Sequence, residues 1–335
     1  MSQTMSRQST TREVPIRREP IHTPAAWTAA TLPEDAGIVV LDARCLDEIH
    51  AAAAELGANP LPVEALCPEH FRMPRCREVM AGVRDALDAG VGFAIVDRLP
   101  VDELGADAAM RIYWLLMSML GPAVAQKWDG TMLYDVTDAG RQDAPGNGVR
   151  SSKTRNGQSY HTDNAFNLPP DYVALLCLNP ARRGGLSGLL SFQSVYNCLL
   201  EECPQVLERL YQPFWFDRQH EHAPGEQALS RSPLFEPAPD GVHVRLSRRL
   251  VGYGYTLAGE EMDARTRSAF DALCAIIERP ALERAFGFER GQFQVVNNRR
   301  LGHRRTAYED WPDPARRRHM VRIWIRHAGR PFYMG

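Results

Sequence analysis

The sequence predicts a single, mainly β domain carrying helical insertions. Short apolar runs rich in β-branched and aromatic residues recur along the chain and are bounded by Gly or Pro, as buried strands are. Stretches with helical spacing fall between them. There is no internal repeat, and no linker is rich enough in Pro, Gly or Ser to divide the 335 residues into two domains. A chain of this length can bury a substantial core and keep a cavity inside it.

Residues 1–35 are polar and proline-punctuated and read as a disordered or surface-wrapping tail. The alanine-rich run from Cys45 to Leu56 predicts a helix. So does Met73–Ala89, where Val79, Val83 and Leu87 share one face. Gly90 ends that helix, and Val91–Val96 reads as a buried strand. Asp102–Leu120 is a further helix closed by Gly121-Pro122. The Gly-, Asp- and Ser-rich stretch 138–158 is expected to be a loop.

Strands are expected at 171–178 and 184–192, then a helix at 195–210. Residues 212–240 read as a long surface excursion of the kind that closes over sites. A strand at 242–246 and a helix at 260–286, broken at Pro280, complete a helical and lid insertion at about 195–290. Two last strands are expected at 293–296 and 320–325, within one domain spanning 36–335.

Composition excludes several classes. The net charge of -2 gives no overall basic field for nucleic acid. No apolar run approaches the roughly 20 residues that span a bilayer, so no membrane partner is expected. The seven cysteines lack a CxxC pair and read as free thiols in a reducing cytoplasm. The Arg- and Ser-rich first dozen residues resemble a transit peptide only faintly. The sequence leaves open whether the protein is a homo-oligomer.

His161-Thr162-Asp163 places an imidazole and a carboxylate on one face of an extended segment, because strand side chains alternate with period two. His303, in the turn expected after the 293–296 strand, is the best third candidate among the ten histidines. Two imidazoles and one carboxylate on one face of a metal leave three positions free. That arrangement suits non-haem Fe(II) oxygenases, with two positions to chelate a 2-oxo acid and one for dioxygen. His220 and His222 share the spacing but sit in the Pro/Gly-rich excursion and read as solvated or lid residues; His319 reads as structural.

Five features in order and register strengthen the metal reading: His161-Thr162-Asp163, Gly184-Gly185-Leu186-Ser187, Asn298 five residues before His303, the turn His303-Arg304-Arg305-Thr306-Ala307-Tyr308, and the pair Arg318 and Arg322. On these residues the chain, from about Gly90 to Phe332, resembles the taurine dioxygenase and clavaminate synthase-like family of Fe(II)/2-oxoglutarate oxygenases. The resemblance implies a double-stranded β-helix (jelly-roll) core. It implies Fe(II) held by His161, Asp163 and His303, with 2-oxoglutarate and O2 as co-substrates.

It further implies that Arg318 meets the far carboxylate of 2-oxoglutarate as a planar fork, with the Ser187 hydroxyl at the same end. Arg322 falls where a substrate anion or the near end of 2-oxoglutarate would be met. Two departures matter. Asn297 stands where the family has Asp, and Gly157 stands where the taurine enzyme has Asn, so taurine itself is not the expected substrate. The intact Asp163 disfavours halogenation. The expectation is hydroxylation of a small polar molecule, resembling an amino acid or a secondary metabolite, with desaturation, cyclisation or epoxidation as alternatives. A non-catalytic sensor or a metal hydrolase would not need the Arg318 clamp.

Overall fold

Alternation along the strand Tyr172–Asn179 sets the layering of the molecule. Tyr172, Ala174, Leu176 and Leu178 pack into one core with three helices, Ala43–Ala58, Pro74–Asp88 and Ala106–Ser118. Val173, Leu175 and Cys177 turn the other way, toward the interior of a barrel. The strand His319–Ile325 divides likewise: Val321, Ile323 and Ile325 join the helical core, while Met320 and Trp324 face inward. Arg322 lies between these two and therefore shares their face. The structure, a computed structural model, describes residues 16–334.

These two strands lie in a seven-stranded sheet whose order is Ile38–Val40, Phe93–Asp97, Phe293–Asn297, Tyr172–Asn179, His319–Ile325 and Ala123–Val124, with Tyr134–Val136 also paired to His319–Ile325. A four-stranded sheet faces it, ordered Glu283–Phe286, Ser187–Ser191, Leu301–Arg305 and Gln158–His161. From Tyr134 onward the chain passes repeatedly between the two sheets, the winding of a double-stranded β-helix. The expected jelly-roll core is thus observed, with helices on its outer faces. Trp27, Phe93, Leu189, Leu301 and Trp324 fill one end of the space between the sheets.

The strands Ser187–Ser191 and Glu283–Phe286 pair directly, Leu190 opposite Glu283, and the whole of 192–282 is inserted between them. This segment builds its own core of Phe192, Tyr196, Phe214, Phe235 and Leu273 against Tyr160 and Leu190 of the smaller sheet. Several sequence expectations change here. Residues 212–240 are not a surface excursion: they form the hairpin Pro213–Asp217/Leu229–Pro233 and enter a second, Phe235–Ala238/Gly241–Val244, with Phe214, Phe216, Leu234 and Phe235 buried. Their alternation is short and interrupted by Pro and Gly, which hid it.

Further differences are local. The expected helix at 260–286 is shorter, Ala264–Ile277, and gives way to the strand Glu283–Phe286; an unexpected helix, Arg248–Ala258, precedes it and ends at Gly259 in the left-handed conformation. Gly105, at φ +79°, divides the expected 102–120 helix into Val101–Leu104 and Ala106–Ser118. Phe192 begins a helix rather than ending a strand. Residues 16–35 wrap the surface, anchored by buried Ile21 and by the Trp27 indole, which donates to the Val91 carbonyl at 2.8 Å. The first fifteen residues of the tail lie outside the described residues.

Candidate metal centre

His161 closes the strand Gln158–His161, and His303 sits directly opposite it in the strand Leu301–Arg305. His303 is therefore a strand residue, not the turn residue expected from sequence. The turn lies earlier, where the Arg300 N–H reaches the Asn297 carbonyl at 3.2 Å. Antiparallel pairing brings the two rings to a centroid distance of 4.3 Å. Asp163 comes round from two residues beyond His161, on a bend continued by Asn164 at φ +53°. Its Oδ1 lies 3.6 Å from each Nε2, too far for a hydrogen bond and close enough for three donors to share one cation.

The surroundings orient His161 and Asp163, while the buried Nδ1 of His303 has no hydrogen-bond partner. The His161 Nδ1–H donates to the Ser159 carbonyl at 2.9 Å, which fixes the tautomer and leaves Nε2 with a free lone pair. The second carboxylate oxygen of Asp163 accepts from the Trp324 indole at 2.7 Å and from the Arg322 guanidinium at 2.9 Å. Only Oδ1 remains for a metal. Asn298, fully buried, accepts from the Asp163 N–H at 2.7 Å and returns its amide to the Asp163 carbonyl at 3.1 Å. That is the local reason for an asparagine five residues before His303. Thr162 ties the same bend to the insertion through reciprocal bonds with the Leu246 backbone.

Charge follows geometry. Burial pushes the Asp163 carboxyl upward, but Arg322 and the two imidazoles outweigh it and hold the group well below the usual carboxylate range. Burial, then His161, lowers His303 below the ordinary imidazole value. Two imidazoles and one carboxylate whose free donor atoms converge fit a divalent iron.

Two cavities meet at these three residues. The larger is lined by Arg150, Asp143, Gln219, Ser247 and Arg249 as well as His161 and Asp163. Arg249 bonds Asp143 and Gln219, both at 2.8 Å, and Arg150 pairs with Glu221 at 2.6 Å. Loop 138–158 and the insertion are thus joined across the mouth. Gln219 and His220 have positive φ there, at 50° and 61°. His220 and His222 do not line this cavity, and His319 pairs with Asp135 at 2.7 Å.

The smaller cavity, on the His303 side, takes in Ser187, Gln294, Arg305 and Arg318. Ser187 donates to Gln294 Oε1 at 3.0 Å, and Arg318 is 4% exposed. Arg322 lines both cavities, yet its Nε bonds Gln126 at 2.7 Å and one terminal nitrogen bonds Asp163. This gives Arg322 a part in holding the metal-side carboxylate that sequence reasoning missed. Arg305 was also missed as a cavity residue; its position two along the strand from His303 was the available signal. Arg316 and Arg317 are exposed, as expected.

A jelly roll with two imidazoles and a carboxylate between its sheets defines the non-haem iron oxygenase class. Residues 63–324 match the model of the family described as taurine catabolism dioxygenase TauD, TfdA family, and the chain belongs to that family. It is 29% identical to FR-33289 synthase of Streptomyces rubellomurinus, over 95% of this chain and 94% of that one. Its fold is similar to that of an asparagine oxygenase solved with Fe(II), 2S,3S-3-hydroxyasparagine and succinate, at TM-score 0.68 and 20% identity over 86% of this chain and 93% of that one. It is likewise similar to the non-haem iron oxygenase OrfP solved with Fe and alpha-ketoglutaric acid, at TM-score 0.63 and 15% identity over 87% and 94%. The protein is a dioxygenase of the iron- and 2-oxoglutarate-dependent class. Among the described residues, no helix is long and apolar enough to cross a membrane.

Proposed function

We propose that the protein hydroxylates a small polar, amino-acid-like substrate in the larger cavity, with His161, Asp163 and His303 as the Fe(II) ligands. The observation that carries this reading is the approach of both Nε2 atoms to one carboxylate oxygen whose partner oxygen is already taken. Fe(II) bound there with 2-oxoglutarate and O2 supplies an oxidant able to replace C–H by C–OH, releasing succinate and CO2.

The chain's own residues divide the remaining work. Trp324 and Arg322 keep Asp163 single-pointed, so the rest of the metal's coordination stays open. Arg318 and Ser187 receive the far carboxylate of 2-oxoglutarate, because both line the cavity beside His303. The substrate sits on the Asp163 side, where Arg249, Arg150 and Asp143 offer charges of both signs. A mixed field of this kind suits a zwitterion, and the asparagine oxygenase named above is a relative in fold that works on such a molecule. The loop 138–158 and the insertion exclude water once substrate is in place. The seven free thiols support a reducing, cytoplasmic setting.

Anaerobic addition of Fe(II) and 2-oxoglutarate should give a weak visible charge-transfer band, absent in Asp163→Ala and Arg318→Ala. Absence of the band in the wild-type protein, with no succinate formed across a broad panel of amino acids and their derivatives, would overturn the reading.

A further inference from the structure

Four arginines line the smaller cavity; Arg304 pairs with Glu283 and Arg322 with Asp163, which leaves Arg305 and Arg318. Arg305 is 6% exposed and Arg318 4% exposed. Arg305 donates from one terminal nitrogen to the Thr154 carbonyl at 2.8 Å, but its Nε and its other terminal nitrogen are buried without a hydrogen-bond partner. Arg318 likewise has a buried terminal nitrogen without a partner. Among the described residues, neither has a carboxylate within ion-pair distance. Both lie against the ring of Tyr308, at 4.9 and 5.1 Å, and the Tyr308 hydroxyl is itself buried and unpartnered.

Two buried cations with unused donors are costly unless an anion joins them. Position identifies the anion. Arg305 follows His303 by two residues on one strand and so shares its inward face, roughly 6.6 Å further along. That is comparable to the span of a five-carbon dicarboxylate whose 2-oxo end is at the metal. Ser187 stands directly opposite Arg305 in the neighbouring strand.

We propose that Arg305 is a second guanidinium for the far carboxylate of 2-oxoglutarate, so that one oxygen is met by Arg318 and the other by Arg305. This rests on the reading of the smaller cavity as the 2-oxoglutarate site. The competing role for Arg305 is a strut that holds residues 154–156 ahead of His161 through their carbonyls. A strut would matter equally for any 2-oxo acid, whereas a carboxylate partner matters only for one with a far carboxylate.

The test is calorimetric. Binding of 2-oxoglutarate and of 2-oxobutyrate, which lacks the far carboxylate, is measured anaerobically on the Fe(II)-loaded wild type, Arg305→Met and Arg305→Lys. Succinate binding is measured on the same proteins without metal. Arg305→Met should weaken 2-oxoglutarate and succinate about 10- to 100-fold, the loss typical of a charge-assisted hydrogen bond, and leave 2-oxobutyrate unchanged. Arg305→Lys should recover part of the loss and keeps the test usable if the Met variant fails to fold. Equal weakening of both 2-oxo acids, or 2-oxoglutarate affinity within about threefold of wild type, would overturn the proposal. If Arg318→Met abolishes 2-oxoglutarate binding while Arg305→Met does not, only this inference fails. If the wild type binds no 2-oxoglutarate, the reading beneath it fails as well.

Discussion

The guanidinium of Arg322 lies 2.9 Å from the Asp163 oxygen turned away from His161 and His303, and it is held there by Gln126. The pair makes the carboxylate a ligand with one usable oxygen and one direction. Arg322→Met removes a positive charge, which alone would favour a cation, but it also frees the carboxylate to turn. Orientation is the larger effect at metal sites, so metal affinity should fall about 10- to 100-fold. Titration with Mn(II) as an air-stable probe measures this, and equal or tighter binding would contradict it.

The mouth of the larger cavity gives a second expectation. Arg249 links Asp143 to Gln219 and lies close to the centre, because Ser247, two residues earlier, bridges His161. For whichever panel substrate the wild type oxidises, Arg249→Gln should raise KM about tenfold or more. The KM for 2-oxoglutarate should stay within about twofold, since Arg249 is absent from the smaller cavity. A parallel rise in both constants would place Arg249 in general scaffolding.

Gly184 supports the smaller cavity from outside. It pairs with Tyr308, has φ +73°, and a Cβ there would collide with the Ala307 carbonyl oxygen. Gly184→Ala should destabilise the fold by roughly 1–3 kcal/mol from backbone strain, with the collision adding to it. Urea denaturation reads the shift, and 2-oxoglutarate affinity should drop with it because Tyr308 moves. Unchanged stability would mean the backbone relaxes.

Away from the site, His243 provides a pH-dependent contribution. Burial, then Arg299 and Arg300, lower its imidazole below the ordinary 6.5. As pH falls through that value, the unfolded chain takes up a proton here before the folded protein does, so stability drops toward the lower folded value. The Tm of His243→Gln should decline less steeply than wild type between about pH 7 and pH 5.5. Identical slopes would exclude the contribution.

The sequence revealed the barrel more readily than the insertion. Strands such as Tyr172–Asn179 and His319–Ile325 are covered on both faces, so they read as continuous apolar runs bounded by Asn179-Pro180 or by charge. The hairpins at 213–244 carry Pro, Gly and charged residues between buried aromatics, and the first packs against the helix Arg248–Ala258 while the second meets the helix Phe192–Glu202, contacts that no local pattern announces. At the site, His161, Asp163 and His303 could be picked out by type and spacing. The pairing of Arg322 with Asp163 could not, because it depends on how two sheets face each other. Arg305 was hidden among neighbouring arginines: Arg304, one residue earlier, turns outward to Glu283.

The insertion leaves the smaller sheet after Ser191 and returns at Glu283, beside Leu190. Its two ends are neighbours across a single strand spacing, about 4.8 Å. His161, Asp163 and His303 all lie outside it. Residues 192–282 supply Gln219, Ser247, Arg249 and Leu250 to the larger cavity and none of the lining of the smaller one. Sequence change within this one loop of a hairpin therefore remodels the larger cavity while every residue lining the smaller one keeps its identity.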